Sequence, residues 1–450
     1  MRTNFSPEQL LDPDIQQAHD ILRKCVHCGM CTATCPTYQI LGDELDSPRG
    51  RIYLIKDWLE SAESVHQGLV THIDRCLSCF SCMTTCPADV DYRRLSDMSR
   101  VKIAQTWKRP FFERLYRAMI VFSLSVPWRF RLMYGGASLL KPFKRLFPST
   151  IRVAFDQMPD VLPINRPSYR KGKIFKARSS TEKPLKRIAL LPGCVQPVLS
   201  PTINEAAVFL LSHLGYETVI TPDLGCCGAL AYHSGDIKNA RQCASQNIKS
   251  WMQPIHDQMG GLDGIVMTAS GCGSMVHDYA HLFADEPEMR EQAKTISEHC
   301  MDASVFFTKK VKKWPTIKPE MRAICAQIRL AYHAPCSLQH GQKIVDEPVH
   351  LLKQCGFQVY TPQQAHMCCG SAGTYALFQP DLSERLKNLK QMHLNALNPD
   401  IIVSANIGCI HQLNHRNKQP VIHWIELLAW AYGGAPPSGL KMNPLNLRKN

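Results

Sequence analysis

CVHCGMCTATCP, residues 25–36, returns as CLSCFSCMTTCP at residues 76–87. In each run four cysteines stand at gaps of two, two and three residues, and a proline follows the last. Three cysteines at gaps of two bring three sulfurs round one small volume from a single tight loop. The fourth lies further round and points away, and the proline then turns the chain aside.

Two such runs in one segment are the thiolate pattern of two-cluster ferredoxins, in which the fourth cysteine of each run serves the other cluster. The pattern assigns Cys25, Cys28, Cys31 and Cys86 to one [4Fe–4S] cluster, and Cys76, Cys79, Cys82 and Cys35 to the second. Paired C-x2-C motifs also hold tetrahedral zinc, but zinc gives no reason for a third cysteine at a gap of two. Two such clusters without an acid–base constellation beside them predict a relay for single electrons rather than a catalytic centre.

The remaining composition agrees with intracellular metal chemistry. Of 450 residues, 45% are hydrophobic and 20% charged, the balance of a globular protein. Twenty cysteines with no apolar h-region in MRTNFSPEQLLDPDIQ point to reduced thiols, not a secreted disulfide framework. The longest apolar candidate, AMIVFSLSVPW (118–128), is too short to span a bilayer and carries Pro127. The net charge is +14, and residues 101–178 hold seventeen Lys/Arg against three acids, enough for the whole excess. Their mixture with Phe, Trp, Tyr and Leu suits an anionic membrane surface. No nucleic-acid module accompanies the charge, so nucleic acid is not an expected partner.

Between the two runs, SPRGRIYLIKDWLESAESV carries apolar residues at helical spacing, and Ser47-Pro48 reads as a helix start. From residue 186 short β-branched runs alternate with amphipathic stretches, and the order recurs from 328. The expected fold is therefore multidomain α+β: a mainly helical two-cluster domain (1–100), a basic aromatic-rich linker (101–184), then duplicated α/β halves with parallel sheets (185–310 and 325–435).

The cysteines duplicate with the halves. Cys194 precedes Cys226-Cys227-Gly228 with 31 residues between, and Cys336 precedes Cys368-Cys369-Gly370 with the same 31 between. Cys272 and Cys409 are expected to end a later strand in each half. The carboxyl edge of an open α/β sheet is where ligands bind, so these eight thiols are candidates for a further iron–sulfur or zinc site. The flanking glycines free the backbone for a close approach. Cys243 and Cys355 fall on helix patterns and read as core, and Cys300 and Cys325 have no counterpart. His233, His333, His340, His366 and His411 lie near the cysteines in sequence and read mainly as bystanders.

Together, the double cysteine run, the intervening SPRGRI and the two C…CCG halves resemble the iron–sulfur subunits of bacterial glycolate oxidase over nearly the whole chain. Wider relatives are the cluster subunit of anaerobic glycerol-3-phosphate dehydrogenase, lactate-utilisation proteins and the heterodisulfide reductase B-type subunit. The resemblance implies a relay subunit of an oxidoreductase acting on CH–OH donors. An FAD-bearing partner would oxidise glycolate, or another 2-hydroxy acid such as D-lactate. This chain would pass the electrons to the quinone pool from the cytoplasmic side of the inner membrane. FAD is not expected in this chain, which has no G-x-G-x-x-G, P-loop or G-x-S-x-G, and the isolated chain is not expected to turn over. The competing readings are thiol–disulfide chemistry of the heterodisulfide reductase type and a non-catalytic assembly subunit. That reductase's halves end in C-x2-C, whereas Met275 and Gln412 stand at the last position here.

Overall fold

The computed structural model describes residues 1–61, 64–159, 162–163, 167–178, 186–255, 261–437 and 440. The boundary expected at 184–185 lies outside the described residues.

The first hundred residues are helical, as their pattern predicts. Helices Pro13–Lys24, Pro48–Ser61, Gln67–Asp74 and Tyr92–Thr106 pack around a core that includes Leu22, Ile55, Leu69, Ile73 and Leu95. Asp12 caps the first helix through the Asp14 N–H, with Pro13 at its first position. The SPRGRI stretch opens the second. Ser47 Oγ accepts the Gly50 N–H at 3.0 Å, and Pro48 again takes the first helical position. Gly50 lies so close to the preceding turn that a Cβ there would sit 2.0 Å from the Glu44 carbonyl oxygen.

The segment 101–178 is more ordered than a linker. Helices Phe111–Leu124 and Pro127–Leu140 form a hairpin broken at Pro127, and Ser149–Asp156 follows. Their apolar residues point both ways, which hides the helical period from a sequence reading. Ile120, Val121 and Phe130 are buried, while Phe112, Leu115, Phe122, Trp128, Leu132 and Leu139 are exposed. Among the described residues no helix is long and apolar enough to cross a membrane.

Each half is a small parallel sheet flanked by helices. The first sheet contains β1 (Ile174–Phe175), β2 (Arg187–Leu191), β3 (Glu217–Val219), β4 (Gly264–Met267) and β5 (Cys300–Asp302), in the order β1-β3-β2-β4-β5. Only β1 is antiparallel, pairing with β3. The second contains β6 (Arg329–His333), β7 (Gln358–Tyr360), β8 (Ile401–Ser404) and β9 (Val421–His423), in the order β7-β6-β8-β9, all parallel. The central strands GIVM and IIVS are buried at every residue, as strands covered on both faces must be. Ala189 pairs with Ile265 in one sheet and Ala331 with Ile402 in the other, at corresponding registers.

The duplication therefore extends to topology. In both halves the first parallel strand connects to one side and the third to the other. The crevice between them is a topological switch point. The halves meet near these strand ends: Ser270 Oγ lies 2.7 Å from Ser337 Oγ, and His423 Nε2 lies 2.9 Å from the Thr268 carbonyl oxygen.

Candidate metal centres

The two cysteine runs share one backbone device. His27 and Gly29 have φ of +56° and +82°, and Ser78 and Phe80, at matching places, have +49° and +59°. Left-handed residues between the cysteines turn successive N–H groups into the loop, a concavity suited to anions such as an iron–sulfur core. Three of the four are not glycine, so the surrounding structure must hold them there. The runs meet through Thr34 and Thr85, which precede the two fourth cysteines; their hydroxyls lie 3.0 Å apart.

The fold brings the thiols of the two runs together. Cys86 and Cys28 are close enough to Cys25 to raise its pKa beyond the effect of burial. Cys25, Cys28, Cys31 and Cys86 line one cavity with Ile52 and Tyr92, and Cys82 of the second run reaches the same wall. Burial pushes Cys82 far up, and Cys79, Cys76 and Cys35 add to the shift. Cys76 behaves oppositely. Burial raises its pKa, but Arg51 and Arg100 outweigh burial and hold it below the usual thiol range.

Arg51, the second arginine of SPRGRI, is 1% exposed. It donates to Asp46 Oδ1 and to Thr37 Oγ1, each at 3.1 Å, and to the His72 carbonyl at 2.7 Å; its Nη1 lies 4.0 Å from Cys35 Sγ. A fully buried cation beside Cys76 favours its thiolate. Donor set, inward N–H groups and buried cation all fit two cubane clusters, each of which supplies a one-electron carrier when bound.

In the halves the thiols also converge, with one correction to their placement. Cys272 and Cys409 do not end strands; they sit on the first turns of helices Ser270–Val276 and Ile407–Asn414. The strands stop earlier, and a two-residue link carries each cysteine back over the crevice. Cys194 and Cys226 sulfurs stand 3.4 Å apart, and Cys336 and Cys368 sulfurs 3.9 Å. The N–H groups of Gly228 and Gly370 donate to Cys226 and Cys368 at 3.5 and 3.4 Å. Both glycines are left-handed, and a Cβ on Gly370 would lie 2.6 Å from the Ser383 carbonyl oxygen. Cys226 and Cys368 are each held well below the ordinary thiol range, first by Cys194 and Cys336 respectively.

The halves then diverge. In the first, Cys227 meets Cys272, and Cys243 joins Cys226. Cys243 is therefore part of the thiol group, not core. In the second, His333, Cys369 and Cys409 bring ligand atoms within 4.8 Å of one another, all three buried. Neither nitrogen of His333 has a hydrogen-bond partner among the described residues. Cys369 and then His333 draw Cys409 down to about 5. This donor set fits a thiolate–imidazole metal site. Lys390, 1% exposed, donates to the Gln364 carbonyl at 2.8 Å. Burial lowers it to about 8, against the pull of Cys369 and Cys368.

The other histidines stand outside the thiol groups. His340 binds Thr84 and the His366 carbonyl, and His411 binds the Gln157 carbonyl. Burial takes His233 down to about 3. Cys300, Cys325 and Cys355 are buried in the large core.

The two-run domain covers the second half. Leu77 and Cys79 share one apolar cluster with Met367, Cys368, Tyr375 and Leu386. Cys368 adds to the burial that raises Cys79. Tyr375 donates to the Arg75 carbonyl at 3.1 Å, and Arg385 to the Ile40 carbonyl at 2.7 Å. Cys79 thus shares one apolar cluster with Cys368 and Cys336 of the second crevice.

Known proteins carry the same parts. Residues 21–90 match the family described as 4Fe-4S dicluster domain, and residues 188–277 and 330–414 match the family described as Cysteine-rich domain. A glycolate oxidase iron-sulfur subunit of Escherichia coli (strain K12) is 38% identical, over 96% of this chain and 99% of its own. A probable glycolate oxidase iron-sulfur subunit of Bacillus subtilis (strain 168) is 28% identical, over 92% and 94%. Lactate utilization protein A of Geobacillus thermodenitrificans is 26% identical over 51% of this chain and 91% of its own. In fold, the chain is similar to a hypothetical protein from Helicobacter pylori at a TM-score of 0.53 and 9% identity, covering 97% of this chain and 74% of that one. Sulfurs at these spacings, in these two domain types and over this full length, mean that the chain belongs to the family of glycolate oxidase iron–sulfur subunits.

Proposed function

We propose that this chain is the electron relay of a flavin-dependent dehydrogenase for glycolate or a related 2-hydroxy acid such as D-lactate. A separate FAD-bearing subunit oxidises the acid, and electrons pass through this chain toward the quinone pool. Cys25, Cys28, Cys31 and Cys86 hold one [4Fe–4S] cluster, and Cys76, Cys79, Cys82 and Cys35 hold the other. The eight cysteines of the halves are the candidates for further metal, with His333 added in the second. The observation that carries the reading is the apolar cluster in which Cys79 packs with Cys368 and Cys336. It makes the two-run domain and the second half one sulfur-lined route instead of two isolated centres.

The chain's own residues set the conditions for that route. Arg51 and Arg100 favour the thiolate of Cys76. Leu77, Met367 and Leu386 exclude water from the junction, which strengthens the electrostatic interactions within it.

The reading also puts the chain on the cytoplasmic face of the inner membrane, held by the helix pair 111–140. Phe112 is 80% exposed and Leu139 79%, beside an excess of cations. Large apolar side chains exposed in number on one helix pair are the composition of an interaction surface.

The test is co-purification with a flavoprotein partner and glycolate-dependent dye reduction. Cys79→Ser should abolish dye reduction with the complex intact, and the iron bound by the chain's first hundred residues should fall from about eight atoms to about four. Full activity in the Cys79→Ser complex would refute the relay. The 3.4 Å approach of Cys194 and Cys226 is the observation that favours thiol–disulfide chemistry instead. That reading requires a reducible bond between them, seen as a two-dalton mass change on reduction.

A further inference from the structure

A cavity of about 900 Å³ opens between the helix pair 111–140 and the thiols of the first half. That volume suits an organic molecule of cofactor size. Cys226 and Cys243 line it, together with Trp107, Phe122, Arg129 and Tyr169. Most of the wall is apolar.

Two donors on this wall donate to no acceptor among the described residues: the Tyr169 hydroxyl, on a side chain 5% exposed, and Arg129 Nε, whose guanidinium stacks on the Phe122 ring at 3.9 Å. Asn204 lies near Tyr169, but its carbonyl oxygen is taken up by other donors, so it can only donate to the hydroxyl oxygen and leaves the Tyr169 O–H free. Asn204 donates to the Pro192 carbonyl and accepts from Gln196 and Thr268. Two desolvated donors facing an apolar space call for a ligand with acceptor oxygens on an apolar body. At the rim, Phe122 is 59% exposed and belongs to the same helix as the exposed Phe112, Leu115 and Met119. The cavity therefore communicates with the face that meets the membrane in the reading above.

We propose that this cavity binds a lipid-soluble quinone. The ring oxygens accept from Tyr169 and Arg129, the ring lies toward Cys226 and Cys243, and the apolar tail leaves past Phe122. The proposal rests on the relay reading and supplies its acceptor site. Reduction turns both ring C=O groups into C–OH and takes two electrons and two protons. The electrons are those released when the 2-hydroxy acid is oxidised at the flavin partner. The protons come from water at the mouth of the cavity.

The full chain, purified without air, is photolabelled with a short-tailed azidoquinone. The expected label falls on peptides 107–129 and 225–246 and is suppressed by excess decyl-quinone but not by glycolate or inorganic phosphate. With wild-type near-ultraviolet circular dichroism in each, Tyr169→Phe should weaken labelling about fivefold, the size of one neutral hydrogen bond, and Arg129→Met, which removes a charged donor, about tenfold or more. Tyr169→Phe removes a single oxygen and keeps the packing. Label elsewhere, label that decyl-quinone does not suppress, suppression by phosphate or glycolate, or wild-type labelling of both variants would each overturn the proposal. Glycolate-driven reduction of a water-soluble dye by the wild-type complex reads the relay separately. Dye reduction without specific labelling removes the quinone site and leaves the relay. Specific labelling without dye reduction does the reverse.

Discussion

Arg94 holds both oxygens of Asp278, at 2.7 and 2.5 Å, and so clamps the two-run domain onto the first half across 184 residues of chain. Arg93 reaches the same carboxylate at 3.1 Å. Burial works against the charged form of Asp278, yet Arg94 and Arg93 together keep it below its ordinary range. Arg94→Met leaves Asp278 short of a bidentate partner and should cost about 3 kcal/mol, read as a lower unfolding midpoint. Because the Asp278 pKa is depressed in the fold, the clamp is complete above about pH 4 and weakens only below it. Equal midpoints for Arg94→Met and wild type at pH 7 would show that the clamp contributes nothing.

Asp97 gives the opposite pH dependence. It is fully buried, and burial lifts its pKa to about 6 against the pull of Arg93, 3.7 Å away. Neither carboxylate oxygen has a hydrogen-bond partner among the described residues. A raised pKa means that the fold prefers the protonated acid. The charge penalty is absent below pH 4 and complete above about pH 6, on the order of 3 kcal/mol. Asp97→Asn should therefore leave stability near pH 4 little changed and raise it at pH 7. Chemical-denaturation midpoints at the two pH values check this; a gain that is the same at both would disprove it.

Gly50→Ala tests the closure of the turn before the second helix. The added methyl meets the Glu44 carbonyl at 2.0 Å, and the clash is with backbone that has nowhere to swing. The expected loss is about 2–4 kcal/mol, and Arg51 should be displaced with it. Visible absorbance of the iron-loaded chain should bleach faster in air than that of wild type. A variant as stable and as air-resistant as wild type would rule out a tight turn here.

The helix pair 111–140 should govern binding to lipid. Phe112→Ser with Leu139→Ser removes two of the most exposed apolar residues and should lower sedimentation with anionic vesicles roughly tenfold or more, since burying each is worth about 1.5–3 kcal/mol. Raising salt should weaken what remains, because the cations of the segment act through screened attraction. Unchanged sedimentation of the double variant would assign these residues to another surface.

Much of this architecture was legible in the residues. GIVM and IIVS read as strands because each is a short β-branched run, and the long helices read through their amphipathic period. The strands β5 and β9 were not, because CMD and VIH are too short to carry a period and β5 follows a helix directly. The helices of 111–140 stayed hidden because their apolar residues face both the protein and its exterior. Among the site residues, the cysteines announce themselves by spacing. Cys243 does not: it sits on helix Ile237–Ile255 and reaches Cys226 only through tertiary packing. His333 had a signal available. Aligning RIALL with RLAYH puts it opposite Leu191, at the end of the strand that leads to the thiols. Lys390 and Arg51 owe their roles to burial, which no local pattern encodes.

The duplicated halves began alike and became unequal through their neighbours. One crevice is stoppered by Cys79 and its apolar collar, while the other opens beneath the hairpin 111–140. Two sites of common origin thus differ in what can reach them: one is closed off by the domain packed over it, and the other is open to a molecule from outside.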